Sequence, residues 1–130
     1  MRPELWYLAL TALMTCLFWL PYIINRSQIL GLGDAMGYPN DPKPMAPWAE
    51  RGKKAHYNAV ENLVVFAALV LAGSQANKLD SATAMSAMVY FWARLVHYVV
   101  YVFGIPYVRT LSFTVGWLAC LCIAWQILFH

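Results

Sequence analysis

Arg51, Lys54, Asn58 and Glu61 follow one another at spacings of three, four and three, which lines them up along one stripe of a helix. A stripe of cations, an amide and a carboxylate at a membrane boundary can bind a small zwitterion. It is also what a snorkelling interfacial face looks like, a reading that suits Lys53 and Lys54 well. Glu61 fits that reading poorly, because it lies two residues before the apolar run Leu63-Val-Val-Phe66. A second stripe, Arg94, His97 and Tyr101, recurs at three and four. Arg94 falls near the middle of an apolar stretch, where an unpaired arginine costs about 3 kcal/mol on insertion scales. An acidic partner is therefore expected, and Glu61 is the carboxylate that lies inside another apolar stretch, so a Glu61–Arg94 pair is predicted. A third group, Pro106-Tyr-Val-Arg109-Thr110, opens the last apolar stretch. A helix N-terminus with an arginine beside it suits an anion; the plainer alternative is a charge that fixes topology. His56, off the first stripe, and His97 read as satisfied core histidines at least as readily as ligands, and nothing else supports haem ligation by the two.

These residues need helices to position them. The chain has 130 residues, 62% hydrophobic and 12% charged, against about 25% charged in a soluble domain. That deficit selects an integral membrane protein. Apolar stretches at Leu5–Ile24, Ala82–Phe103 and Leu111–Phe129 each reach the roughly 20 residues of a span. Leu63–Gly73 reaches it only with the polar cluster upstream as part of the same helix. The expected fold is one all-α, four-transmembrane-helix unit, with spans at about 5–24, 48–76, 81–103 and 108–129. The first stretch, rich in Trp and Phe and without a small-residue cleavage site, reads as a retained span rather than a leader. Pro21 should kink or end it. The glycines and prolines between Asn25 and Trp48 predict a long loop, Ser81 is a plausible N-cap, and Pro47 suits a first helical turn.

The charges divide unevenly. Arg26, Lys43, Arg51, Lys53, Lys54 and Arg109 fall at one end of the predicted bundle, Arg2 and Lys78 at the other. The positive-inside rule then places both termini outside the cytoplasm. Cys16, Cys120 and Cys122 lie in apolar spans and read as packing residues; no disulfide framework or metal-ligand spacing is visible. No nucleic-acid partner is expected.

The three polar segments, Arg51-x-x-Lys-Ala-His-x-Asn58-x-x-Glu61, Arg94-x-x-His97-x-x-x-Tyr101 and Pro106-x-x-Arg109, together resemble the MAPEG superfamily, the membrane-associated proteins of eicosanoid and glutathione metabolism. The loop containing Gly37-Tyr-Pro-Asn40 is more similar to bacterial members. The resemblance implies a homotrimer of four-helix bundles in a bacterial inner membrane, with glutathione as co-substrate between neighbouring subunits and no metal. It implies that Lys54 stands where many members have an arginine on a glutathione carboxylate, and that Arg51, Asn58, Glu61 and Arg94 serve the tripeptide. His97 and Tyr101 match third-helix residues lining that site, Arg109 matches the arginine at the thiol, and Thr110 follows where some members have serine. Arg26 matches a first-helix cation loosely, and His56 is a possible further contact. Tyr57 replaces an arginine that some members use, and Lys54 lacks the bidentate fork of arginine.

The activity implied is that of a glutathione transferase or peroxidase on lipophilic electrophiles. A thiol of pKa about 8.5 is only about 3% ionised at pH 7, and an adjacent arginine lowers an acid's pKa by about one to three units. Arg109 is the expected thiolate-stabilising residue, with Tyr101 as a second donor. Two other readings stand beside it. One is a non-catalytic relative that binds lipid or acts as a scaffold. The other is a small multidrug-type transporter, although such proteins usually carry their carboxylate in the first helix, and Leu5–Ile24 has none.

Overall fold

A computed structural model describes residues 1–130. Six helices form in chain order: α1 Pro3–Leu17, α2 Trp19–Leu30, α3 Leu32–Met36, α4 Pro47–Gln75, α5 Ser81–Val102 and α6 Pro106–Phe129. Taking α1 and α2 together, four segments are long and apolar enough to cross a membrane: Pro3–Leu30, Pro47–Gln75, Ser81–Val102 and Pro106–Phe129. Four such segments are the architecture of a multi-pass integral membrane protein.

The first span changes helix at Phe18 rather than ending at Pro21. Proline 21 has no N–H for the carbonyl of Leu17 four residues earlier, and its ring crowds that carbonyl. α1 accordingly stops at Leu17 and α2 resumes at Trp19. α2 then continues to Leu30, past Asn25, where the glycine- and proline-rich composition predicts a loop to begin. The backbone turns at Gly31, whose φ of +81° favours glycine, and α3 occupies part of the expected loop. The third span is capped by Asp80, not Ser81. The Asp80 carboxylate accepts the Thr83 N–H at 3.0 Å, and the Thr83 hydroxyl accepts the Asp80 N–H at 2.7 Å, a reciprocal capping box.

α4 packs through small residues. Its buried face holds Ala49, Gly52, Ala55, Ala59 and Gly73 beside Phe66 and Val70, and such residues let helix backbones approach closely. At Gly73 a Cβ would stand 2.8 Å from the side-chain ends of both Ile127 and Leu79, so those two side chains would have to shift to admit a larger residue. The core joins α4, α5 and α6 through Phe66, Val70, Ala87, Tyr90, Ala119, Cys120 and Ile123. The rings of Phe66 and Tyr90 stack at 4.0 Å, and α5 and α6 form the tightest helix pair. Cys120 is buried, Cys122 half-buried and Cys16 exposed, all three free.

The chain runs up and down, so α2 ends, α4 begins, α5 ends and α6 begins at one end of the bundle. At the opposite end Arg2 forms an ion pair of 2.7 Å with Glu4 and donates to the carbonyl of Asp80 at 3.2 Å. Glu4 is fully buried there, also accepting the hydroxyl proton of Thr83. Terminal position in the sequence does not mean exposure.

Candidate active site

At the other end, a pocket of about 260 Å³ opens between α4, α5 and α6, lined by Asn58, His97, Tyr101, Arg109, Thr110 and Phe113. Five of these are residues that the sequence singles out. Each helix delivers its members for a local reason. The capping box fixes the start of α5, and the 3.6-residue turn then brings His97 and Tyr101 to one face; their rings meet edge to face at 5.5 Å. Pro106 occupies the first turn of α6 and leaves Arg109 and Thr110 within that turn's reach of the mouth, both exposed.

Arg109 does not hang free. Its guanidinium carbon lies 4.9 Å from the centroid of the Tyr101 ring, a cation–π contact worth about 0.5–1 kcal/mol at exposed sites. The cation is thereby held at the pocket mouth without a carboxylate to neutralise it. Deeper in, the buried Arg94 donates to Oδ1 of Asn58 at 2.6 Å, and its guanidinium lies 5.9 Å from the Phe113 ring. Asn62 donates to the Asn58 carbonyl at 2.8 Å and to Oδ1 at 3.3 Å. Asn58 is thus fixed by α4 and α5 together. Nδ1 of His97 is buried with no hydrogen-bond partner.

The predicted Glu61–Arg94 pair does not form. Arg94 takes a neutral amide instead, Glu61 is exposed on α4, and the one ion pair in the chain is Arg2–Glu4. A lone buried cation needs an acceptor, and an amide oxygen one turn from Glu61, supported by Asn62 and the ring of Phe113, meets part of that need in place of a carboxylate.

The other candidates lie outside this pocket. Arg51 turns away from the rest of its stripe: Nε donates to the Val102 carbonyl at 2.9 Å, one of the unpaired carbonyls at the end of α5. The turn that follows holds Gly104 at φ +74°, so close that a Cβ there would meet Cζ and Nε of Arg51 at 3.3 Å. Arg51 therefore ties the start of α4 to the turn that precedes Arg109. Lys54 and Tyr57 are exposed, and the Lys53 ammonium lies 5.7 Å from the Tyr57 ring centroid. Nδ1 of His56 shares a hydrogen bond of 2.9 Å with the buried hydroxyl of Tyr22, joining α4 to α2. Arg26 borders a separate pocket between α2, the loop and α4. No three His, Cys, Asp or Glu side chains come together as metal ligands.

Phe113 and Asn62 are the site residues that sequence reasoning missed. Phe113 follows Arg109 by one helical turn, the signal that could have found it; inside an apolar span that signal is drowned by its neighbours.

Four helices able to span a membrane, with an arginine-bearing polar pocket at the end of the second, third and fourth, define an integral membrane protein with a candidate ligand site. Within that class, the chain matches the MAPEG family over residues 4–129, nearly its whole length, and belongs to that family. No curated protein matches it.

Proposed function

We propose that the protein is a glutathione-dependent transferase or peroxidase acting on lipophilic electrophiles, working as a homotrimer in the membrane with both termini outside the cytoplasm. The observation that carries this reading is Arg109, an unpaired cation held over the Tyr101 ring at the mouth of a polar pocket. The family includes glutathione-dependent transferases and peroxidases, and the residues present suit the tripeptide. Arg109 and Thr110 offer donors to a thiolate, Asn58 offers polar contacts to its amides with His97 beside it in the pocket wall, and the exposed Lys54 offers a charge to a carboxylate.

The thiolate, not the thiol, is the nucleophile. Arg109 favours the anion by charge, and the N-terminus of α6 adds its positive end. The Tyr101 hydroxyl serves as a second donor. An apolar electrophile reaches the site laterally from the bilayer while glutathione enters from the aqueous side.

The test is to titrate glutathione into the detergent-purified protein and follow thiolate absorbance in the ultraviolet, with Arg109→Ala alongside. A saturable signal lost in the variant is the expected result. Full turnover by Arg109→Ala with normal glutathione binding would remove Arg109 from the role, and no signal at millimolar glutathione would favour a non-catalytic, lipid-binding member of the family.

A further inference from the structure

A second polar pocket, about 240 Å³, lies at the same end of the bundle but on other elements. Arg26 and Leu30 of α2, Lys43 and Met45 of the loop, and Glu50 and Lys53 of α4 line it together with Pro42 and Pro44. It shares no residue with the pocket at Arg109. Three features make it more than a patch of surface lysines. First, cations outnumber carboxylates three to one, and none of the four charged groups belongs to an ion pair, since the chain's ion pair is at the far end. Glu50 sits in the first turn of α4, where a carboxylate complements the helix dipole. Second, Nε of Arg26 is buried with no hydrogen-bond partner. Third, the walls are fixed: Oδ1 of the buried Asn25 accepts the Ala46 N–H at 3.0 Å, fastening the loop to α2, and the Tyr22–His56 hydrogen bond fastens α2 to α4.

The surroundings narrow the ligand. Arg26 stands near the end of the Pro3–Leu30 span and Lys53 near the start of the Pro47–Gln75 span, which places the cations at the level of the headgroups. Leu30 and Met45 supply apolar wall beside them. Basic pockets at the ends of membrane helices suit lipid phosphate, and a guanidinium with two ammonium groups matches a tetrahedral oxyanion better than a single carboxylate.

We propose that this pocket binds a phosphate group at the membrane surface, that of an anionic phospholipid. The proposal does not rest on the glutathione reading, and Arg26, which loosely matches the family's first-helix cation, is left intact in the test below. The test reconstitutes the full chain in nanodiscs of mixed phosphatidylglycerol and phosphatidylcholine, extracts it into mild detergent, and counts retained lipid by native mass spectrometry. The double variant Lys43→Gln, Lys53→Gln is compared with Lys78→Gln, which removes a charge at the opposite end. Helical circular dichroism and elution volume establish that each variant is folded.

The expected result is preferential retention of phosphatidylglycerol by the wild type and by Lys78→Gln, reduced about tenfold or more in the double variant. Displacement by millimolar inorganic phosphate would assign the site to free phosphate; resistance to it would assign it to the lipid. Equal retention of both lipids by the wild type, or an unchanged preference in the double variant, would overturn the proposal. So would displacement by glutathione, which would make the pocket part of the thiol site. The thiolate titration on the same samples reads the glutathione reading separately.

Discussion

Replacing Gly104 by alanine should destabilise the protein in two separable ways. The first is conformational: Gly104 has φ +74°, and an L-residue in left-handed backbone costs about 1–2 kcal/mol. The second depends on a side chain from another helix. The new Cβ would stand 3.3 Å from Cζ and Nε of Arg51, closer than such contacts usually settle. The guanidinium cannot simply swing away, because Nε is hydrogen-bonded to the Val102 carbonyl at 2.9 Å. A hydrogen bond from a charged group contributes about 1.5–3 kcal/mol, and Arg51 is half-buried, so the lower figure applies. Weakening that bond without abolishing it adds about 1 kcal/mol, for a total of about 2–3 kcal/mol. In an Arg51→Met background the second contribution vanishes and Gly104→Ala should cost about 1–2 kcal/mol. Unfolding of the four proteins in mixed micelles, titrated with a denaturing detergent and followed by circular dichroism, gives the coupling directly. Equal costs in the two backgrounds, to within the roughly 0.5 kcal/mol of ordinary additivity, would refute the seating of Arg51 in the α5–α6 turn.

Other expectations concern the site itself. Tyr101→Phe keeps a ring beneath Arg109 and removes only the hydroxyl, so turnover should fall by the loss of one donor. Tyr101→Leu removes the ring as well and should lower turnover a further two- to fivefold, the equivalent of about 0.5–1 kcal/mol of cation–π contact; steady-state rates of the two variants that coincide would show that the 4.9 Å contact does not hold Arg109. Glu61→Ala and Arg94→Ala should be additive in stability to within about 0.5 kcal/mol, because Arg94 is bonded to Asn58; coupling above about 1 kcal/mol in the same micelle assay would restore the pair expected from the sequence.

The spans could be read from sequence because the bilayer imposes a length on them, and the stripes because spacing fixes direction around a helix axis. Spacing says which residues share a face; it does not say what that face meets. Asn58, His97, Tyr101, Arg109 and Thr110 do converge. Arg51 shares their stripe, yet bonds a backbone carbonyl, a partner that no pattern of side chains announces. Arg94 posed the same difficulty in another form: its need for an acceptor was visible, but an amide and a carboxylate three residues apart were equally available, and only the packing of α4 on α5 chose between them. Glu4 lies just ahead of the first apolar stretch, where sequence alone suggests exposure, yet the Asp80 capping box draws Thr83 and Arg2 around it and buries it completely.

The exposure of Glu61 carries a consequence for assembly. In the single chain this carboxylate stands on the surface of α4, with Val60, Val64 and Val65 exposed around it. Those valines suit lipid; the carboxylate does not, since an acidic group at the centre of a membrane helix costs about 2.5–3.5 kcal/mol even on lenient scales. Tyr57, one turn earlier, is exposed on the same helix. The small-residue face of α4 is already spent on packing within the bundle, so rotating the helix to hide Glu61 would bring valines inward and open the contacts at Gly52 and Ala55. The cheaper resolution is to cover Glu61 from outside. A second copy of the chain, laid along α4, would do so and would close one side of the pocket at Asn58 and Arg109, which is why the homotrimer and the glutathione site are parts of a single proposal rather than two.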